Sequence, residues 1–236
     1  SYVAMEALDH AAHNGNDEIR AASQARVDLL TPIVKGWCTE NSQVITSLGV
    51  QVHGGMGYIE ETGAAQHLRD SRILTIYEGT TGIQAGDLVG RKTLRDGGAG
   101  VTALLDEMAQ VVADAEAAGS ELAEIATELA AAVAAARGAV AWLLEHYDDE
   151  ANIPGAVSYH YLMLLGVTCG GWLMARSALI ASQKQGSADS DFYTAKLLTA
   201  RFYAEQALPR ALSHARSIEY GSSTMMAFTQ ELFESR

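Results

Sequence analysis

Residues 76–84 read Ile-Tyr-Glu-Gly-Thr-Thr-Gly-Ile-Gln. A single carboxylate, Glu78, stands between an aromatic residue and a glycine, with small and hydroxyl residues directly behind it. The glycine lets a ligand come close to the backbone. Thr81 and Gln84 have the Thr-x-x-Gln spacing of a capping box, which predicts a helix starting just after the glutamate. A helix start presents free N–H groups and the positive end of the helix dipole, which suit a phosphate or a carbonyl oxygen. Taken alone, the stretch reads more simply as a turn followed by an ordinary N-cap.

Upstream lies Gln51-Val-His-Gly-Gly-Met-Gly-Tyr58, with three glycines in four positions. Such a backbone turns sharply or passes close to something flat or charged. Leu68-Arg69-Asp70-Ser71-Arg72 lies between the two motifs. In order, spacing and identity, the set resembles the C-terminal domain of the acyl-CoA dehydrogenases. The likeness is close over residues 36–92 and looser in the flanking helices. It implies that Glu78 is the general base that removes the α-proton of an acyl-CoA thioester, while the β-hydrogen passes to FAD as hydride. An unactivated glutamate is a weak base for such a carbon acid. Exclusion of water and hydrogen bonds to the thioester carbonyl are the physical remedies, and the N–H groups of Glu78 and Gly79 are placed to give the latter.

The resemblance also implies cofactor contacts. Gln51, Val52, His53, Gly54 and Gly55 match a loop lying against the FAD of a neighbouring subunit, where His53 is needed only for its backbone. Thr80, Thr81 and Gly82 match a segment that touches FAD after the base. Many members of the family carry Thr-Ser-Gln-Ile-Gln after the Glu-Gly, whereas this chain has Thr80-Thr81-Gly82-Ile83-Gln84. Gly82 has no side chain to offer the flavin, which leaves only a backbone contact there.

The composition fits this picture. Of 236 residues, 48% are hydrophobic and only three are proline, which favours packed helices over sheet or disorder. A net charge of −13 argues against nucleic acid, because no basic stripe is available to neutralise phosphates, and against an anionic membrane surface. Two cysteines, Cys38 and Cys169, make no disulfide framework, so a reduced, cytoplasmic setting is expected. The apolar run from Leu162 to Ala175 is too short for a membrane span and reads as a buried helix, whose Gly166, Gly170 and Gly171 allow close helix approach. The chain opens at Ser1-Tyr-Val-Ala-Met already in a helical pattern, as a piece of a longer protein would.

Periodicity predicts helices over 2–13 and 17–47, with Pro32 kinking or breaking the second. A glycine loop over 49–63, a short helix over 64–70 and a helix over 81–94 follow. Asp96-Gly-Gly-Ala-Gly100 reads as a linker. Beyond it, four helical patterns over 101–116, 121–147, 157–185 and 192–217 predict a second bundle. The expected fold is all-α: residues 1–95 form the C-terminal part of a dehydrogenase helical domain, 96–100 a linker, and 101–236 a helical extension. That extension resembles one found on a bacterial subset of the family, with a role in subunit packing or in shaping the acyl end of the pocket.

Other clusters have plainer explanations. His10 and His13 lack a third metal ligand, and the acidic run 145–150 lacks the ligand alternation and glycine of a calcium loop, so no metal is expected. Arg69-Asp70 reads as a structural ion pair or interface contact. The resemblance implies an acyl-CoA substrate, straight-chain or short and sulfur-containing such as 3-methylmercaptopropionyl-CoA. It further implies an electron-transfer flavoprotein as acceptor and a homodimer or tetramer. The chain alone, lacking a β-domain, is expected neither to retain FAD nor to turn over substrate. An acyl-CoA oxidase passing electrons to oxygen, and a non-catalytic helical assembly module, are the rival readings.

Overall fold

A computed structural model describes residues 1–186 and 188–234, and among them every regular element is helical. The chain divides into two compact units, Ser1–Gly90 and Arg91–Arg236.

In the first unit, α1 (Tyr2–His13) and α2 (Asp17–Val52) meet at the Asn14-Gly15-Asn16 turn. The Asn16 side chain accepts from the N–H groups of Glu18 and Ile19 at 2.8 and 3.3 Å, and Asp17 and Glu18 lie at the positive end of the helix dipole. α2 is 36 residues long, about 54 Å at roughly 1.5 Å per residue. Of the kink or break expected at Pro32, no break occurs: the helix runs through it. A mid-helix proline costs about 3 kcal/mol. Leu29, Leu30, Pro32 and Ile33 are all buried, and each large apolar side chain contributes roughly 1.5–3 kcal/mol, so tertiary burial outweighs the lost hydrogen bond.

The expected glycine loop is largely helix. α2 continues to Val52, Gly54 turns the chain at φ 59°, and α3 (Gly55–Tyr58) follows at once, succeeded by a 3-10 turn over Glu60–Thr62. Gly57 is buried, and a Cβ there would stand 2.2 Å from the Val50 carbonyl oxygen, so α3 sits against α2 only because this residue has no side chain. α4 (Ala64–Arg72) is pinned to α2 by polar contacts. Gln43 Nε2 donates to the Ser71 carbonyl at 2.6 Å, and the Thr46 and Ser71 hydroxyls pair at 3.0 Å. α5 (Thr81–Gly90) stops four residues short of its expected end, and its Ala85, Leu88 and Val89 are fully buried.

In the second unit, Asp96 accepts from the N–H groups of Gly98 and Gly100 at 3.0 and 2.9 Å and starts α6 (Ala99–Ala117). The Asp96-to-Gly100 run is thus a helix-initiating turn, six residues beyond the end of the first unit. α7 (Ala123–His146) and α8 (Ile153–Ser182) follow. Both are long and apolar enough to cross a membrane by length and composition. In this unit their apolar residues build the core: Leu129, Leu143, Tyr161, Leu162, Leu164 and Leu165 are fully buried. Burial pushes the Tyr161 phenol well above its usual range, and its hydroxyl pairs with that of Thr93 at 3.0 Å.

The single helix expected over 192–217 is two, α9 (Ser190–Gln206) and α10 (Arg210–Glu219). Pro209 has no N–H with which to continue a helix, and the break swings Leu208 into the core against Gly171. A Cβ on Gly171 would lie 2.5 Å from a Leu208 methyl, and one on Gly170 would lie 2.1 Å from the Tyr203 hydroxyl. That hydroxyl donates to the Val167 carbonyl at 3.0 Å. The glycines of α8 therefore serve close helix contact. Two short helices, α11 (Ser223–Met226) and α12 (Gln230–Glu234), complete the described chain.

Candidate active site

The segment carrying Glu78 is a tight connection between α4 and α5. A 3-10 turn over Ile73–Thr75 closes with the N–H groups of Ile76 and Tyr77 both donating to the Ile73 carbonyl, at 2.9 and 3.1 Å. Glu78 follows at φ 48°, the one non-glycine residue with positive φ among those described, and Gly79 continues at φ 94°. A left-handed glutamate costs roughly 1–2 kcal/mol, because its Cβ crowds the following carbonyl oxygen. Backbone strain of this kind persists only where the surroundings over-determine it.

Those surroundings come from α2. Lys35 Nζ donates to the carbonyl oxygens of Leu74 and Tyr77, the latter at 3.3 Å, and lies 5.2 Å from the centroid of the Tyr77 ring. Glu40 accepts from the Thr81 hydroxyl at 2.5 Å. The residues between these two ties are 78–80. Thr80 is the capping residue of α5: its hydroxyl accepts from Ile83 N–H at 3.3 Å, and its carbonyl accepts from Gln84 N–H at 3.0 Å. The expected capping box on Thr81 is therefore one residue out of register. Thr81 is instead buried against α2 through Glu40, and the Gln84 side chain folds back toward Gly79. A Cβ on Gly79 would displace the end of the flexible Gln84 side chain, and the φ of 94° is what favours glycine there.

The Glu78 side chain is exposed, and so are its neighbours Ile76, Tyr77 and Ile83. The carboxylate is open to a ligand and set among exposed apolar residues that a bound apolar group would cover. The first N–H groups of α5 have no partner within the helix and point toward the same connection.

The residues expected to meet FAD fall into two groups. Gln51, Val52, His53, Gly54 and Gly55 are all exposed at the end of α2 and the start of α3. His53 Nδ1 lies 2.9 Å from the Gly49 carbonyl, so its ring folds back on its own helix and leaves the backbone as the available surface. Gly54 and Gly55 have open space where a Cβ would stand, which lets a planar group approach the main chain. Thr80, Thr81 and Gly82 open α5. The two hydroxyls there are already engaged, and Gly82 is open on its side-chain face, so this group too offers mainly backbone. These residues fit an edge contact with a flavin nucleotide made through backbone. Thr81 is tied to α2 at Glu40, about 16 Å along that helix from Gln51 at roughly 1.5 Å per residue.

An open cavity of about 530 Å³ lies beside the glycine segment, lined by Val50, Tyr58, Ile59, Leu68, Glu60 and Arg69, and Glu78 is not part of it. Arg69 pairs with Glu60 through two hydrogen bonds of 2.6 and 2.7 Å, where the sequence pointed to Asp70. Periodicity gave no sign of Lys35 or Glu40, because each lies in the middle of a long helix and acquires its role only through the fold. His160 and His214 also escaped notice: their Nδ1 atoms approach to 3.2 Å across α8 and α10. Burial, followed by the charges of His160 and Arg210, lowers the His214 pKa from 6.5 to about 4. Among the described residues, no three His, Cys, Asp or Glu side chains converge as metal ligands.

The family described as acyl-CoA dehydrogenase, C-terminal domain, matches residues 2–93, and that described as acetyl-CoA dehydrogenase C-terminal like matches residues 104–229. A 3-methylmercaptopropionyl-CoA dehydrogenase of Ruegeria pomeroyi is 43% identical over 222 residues, covering 93% of this chain and 38% of the relative. The broad-specificity linear acyl-CoA dehydrogenase FadE5 of Mycobacterium tuberculosis is 31% identical over 216 residues, 87% of this chain and 35% of the relative. A butyryl-CoA dehydrogenase of Syntrophomonas wolfei is 24% identical over 241 residues, 98% of this chain and 38% of the relative. The chain thus spans little more than a third of these relatives while matching two consecutive C-terminal domains, and it belongs to the acyl-CoA dehydrogenase family.

Proposed function

We propose that this chain carries the α-proton base of an FAD-dependent acyl-CoA dehydrogenase, and that the base is Glu78. The observation supporting this most strongly is the strained, doubly tethered backbone that presents an exposed carboxylate beside a helix start. In the reaction, the Glu78 carboxylate takes one α-proton from the acyl group of the thioester. The Cα–Cβ double bond forms as the β-hydrogen departs with its electron pair, giving a trans-2-enoyl-CoA and protonated Glu78. FAD, when bound, supplies the acceptor for that hydride. The Gly79 N–H is the proposed partner of the thioester carbonyl, whose polarisation acidifies the α-carbon. Residues 51–55 and 80–82 would hold FAD through backbone contacts, the first group on a neighbouring subunit's flavin. Water must be excluded from Glu78 by the bound acyl chain and by protein outside this chain, because the carboxylate is open here.

The substrate class is an acyl-CoA thioester. The 43% identity to a 3-methylmercaptopropionyl-CoA dehydrogenase supports testing that thioester alongside straight-chain acyl-CoAs. An electron-transfer flavoprotein is the proposed acceptor, a homo-oligomer the proposed assembly and the cytoplasm the proposed compartment. The test is Glu78→Gln in the full-length enzyme, with acyl-CoA-dependent flavin reduction as the assay. A positioned general base contributes about 10²–10⁴-fold, so kcat should fall by at least about 10² with flavin content unchanged. Unchanged turnover would remove Glu78 from the chemistry. The isolated chain, purified in parallel, should carry no stoichiometric flavin absorbance.

A further inference from the structure

α2 touches the connection bearing Glu78 through charged groups on both sides of it. On the near side, Lys35 Nζ donates to the carbonyl oxygens of Leu74 and Tyr77 and lies over the Tyr77 ring. On the far side, Glu40 accepts from the Thr81 hydroxyl. Two carbonyls pointing into one ammonium fix the orientation of the peptide planes around them. The Tyr77 carbonyl belongs to the peptide that enters Glu78, so its direction helps to set the φ of that residue. The ammonium–ring contact and the charge-assisted hydrogen bonds all favour this arrangement and act against the steric cost of a left-handed non-glycine residue.

We propose that Lys35 is a positioning residue for Glu78: bound to the Leu74 and Tyr77 carbonyls and lying over the Tyr77 ring, it holds the turn in the left-handed conformation that presents the carboxylate. The inference rests on Glu78 being the base. Lys35 touches the turn and not the reacting atoms, so it acts on the geometry of proton removal and leaves substrate affinity alone. Glu40 is the complementary anchor, setting the start of α5 through Thr81. Neither role is visible in the local spacing of residues 76–84.

The experiment uses the flavin-loaded full-length enzyme with Lys35→Met, Lys35→Arg and Glu78→Gln. Three quantities are measured: kcat, KM, and exchange of the acyl-CoA α-protons with D2O, followed by mass spectrometry. A displacement of about 1 Å at a reacting group costs on the order of 10²-fold. Lys35→Met should therefore lose roughly 10–100-fold in kcat and in α-proton exchange, with KM within threefold of the parent. Lys35→Arg, which keeps charge and donors, should recover most of both. If Lys35→Met loses its flavin, Lys35→Gln, which retains donors without charge, replaces it and should fall between Met and parent. The proposal is overturned by a folded Lys35→Met or Lys35→Gln enzyme with parental kcat and exchange. It is equally overturned if Lys35→Arg is as impaired as Lys35→Met, which would mark a packing role. A Glu78→Gln enzyme that still exchanges α-protons would instead refute the role of Glu78, whatever Lys35 does.

Discussion

Replacing Glu78 by glycine should make the first unit more stable while removing the residue proposed as its base. Glu78 adopts φ 48°, a conformation costing a non-glycine residue roughly 1–2 kcal/mol. Glycine removes that cost but brings about 0.5–1 kcal/mol of extra chain entropy to the unfolded state. The net expectation is a gain of about 0.5–1 kcal/mol for Glu78→Gly. The exposed carboxylate contributes no burial to set against it. Glu78→Ala keeps the Cβ and hence the strain, and should lie within about 0.5 kcal/mol of the parent. The decisive quantity is the difference between the two variants. At an ordinary helix or strand position alanine exceeds glycine by about 0.5–1 kcal/mol; here the order should reverse. Amide hydrogen exchange of Ala85, Leu88 and Val89 on α5 is the suitable assay, since all three are fully buried just beyond the turn. A gain of 1 kcal/mol corresponds to about fivefold slower exchange. If Glu78→Gly exchanges as fast as Glu78→Ala, or faster, the left-handed strain assigned to this residue is wrong.

Gly171→Ala should destabilise the second unit, because its Cβ would press on the buried Leu208 side chain; overpacking costs about 1–3 kcal/mol against a helix-propensity gain of about 1 kcal/mol. The matched control is Gly138→Ala, with open space around it on α7, which should instead gain about 0.5–1 kcal/mol; urea unfolding of both variants checks the sign, and a gain at Gly171 would contradict the close contact. His214 gives the second unit a pH dependence: its folded pKa lies at about 4, below the 6.5 of the unfolded chain, so the unfolded state binds the extra proton between those values. Stability is therefore full above about pH 6.5 and falls as the pH drops toward 4. The upper bound is roughly 3 kcal/mol, reduced to about 1–2 kcal/mol by solvent screening of a half-exposed ring. A pH series of thermal unfolding on the parent and His214→Gln checks this, and an acid-induced loss that persists undiminished in His214→Gln would place its origin elsewhere.

Much of the fold follows from patterns the chain carries locally. α1, α4 and α6 start and stop within a few residues of where apolar spacing and turn residues put them. The departures share one physical cause, which is that tertiary burial or a single backbone constraint overrides a local signal. Pro32 could have broken or kinked α2, and the helix continues through it with buried residues around it. Gly49 looks like loop, yet the helix does not end until Gly54 takes a positive φ. Pro209, inside a convincing helical period, does break the chain, because Leu208 gains burial by the break. At the candidate site, sequence pointed to the residues of the turn itself: Glu78, Gly79 and the hydroxyls behind them. The inward supports, Lys35 and Glu40, lie about forty residues upstream, and only the packing of α2 against the turn and α5 brings them there.

The Tyr77-Glu78-Gly79-Thr80 segment is best explained as a division of physical labour. Tyr77 gives its carbonyl and its ring to Lys35. Gly79 takes a φ of 94° in a space already occupied by Gln84. Thr80 caps the helix that Glu78 precedes. Three of the four residues are thus accounted for by what they do within the turn, and Glu78 is the exception. Its conformation is unfavourable, its side chain is exposed, and glycine or asparagine would serve the turn better. A carboxylate where the backbone opposes it, on a segment tethered from both sides, accords with the role toward a ligand proposed for Glu78. Under that proposal Lys35, which ties down the turn, belongs to the same device.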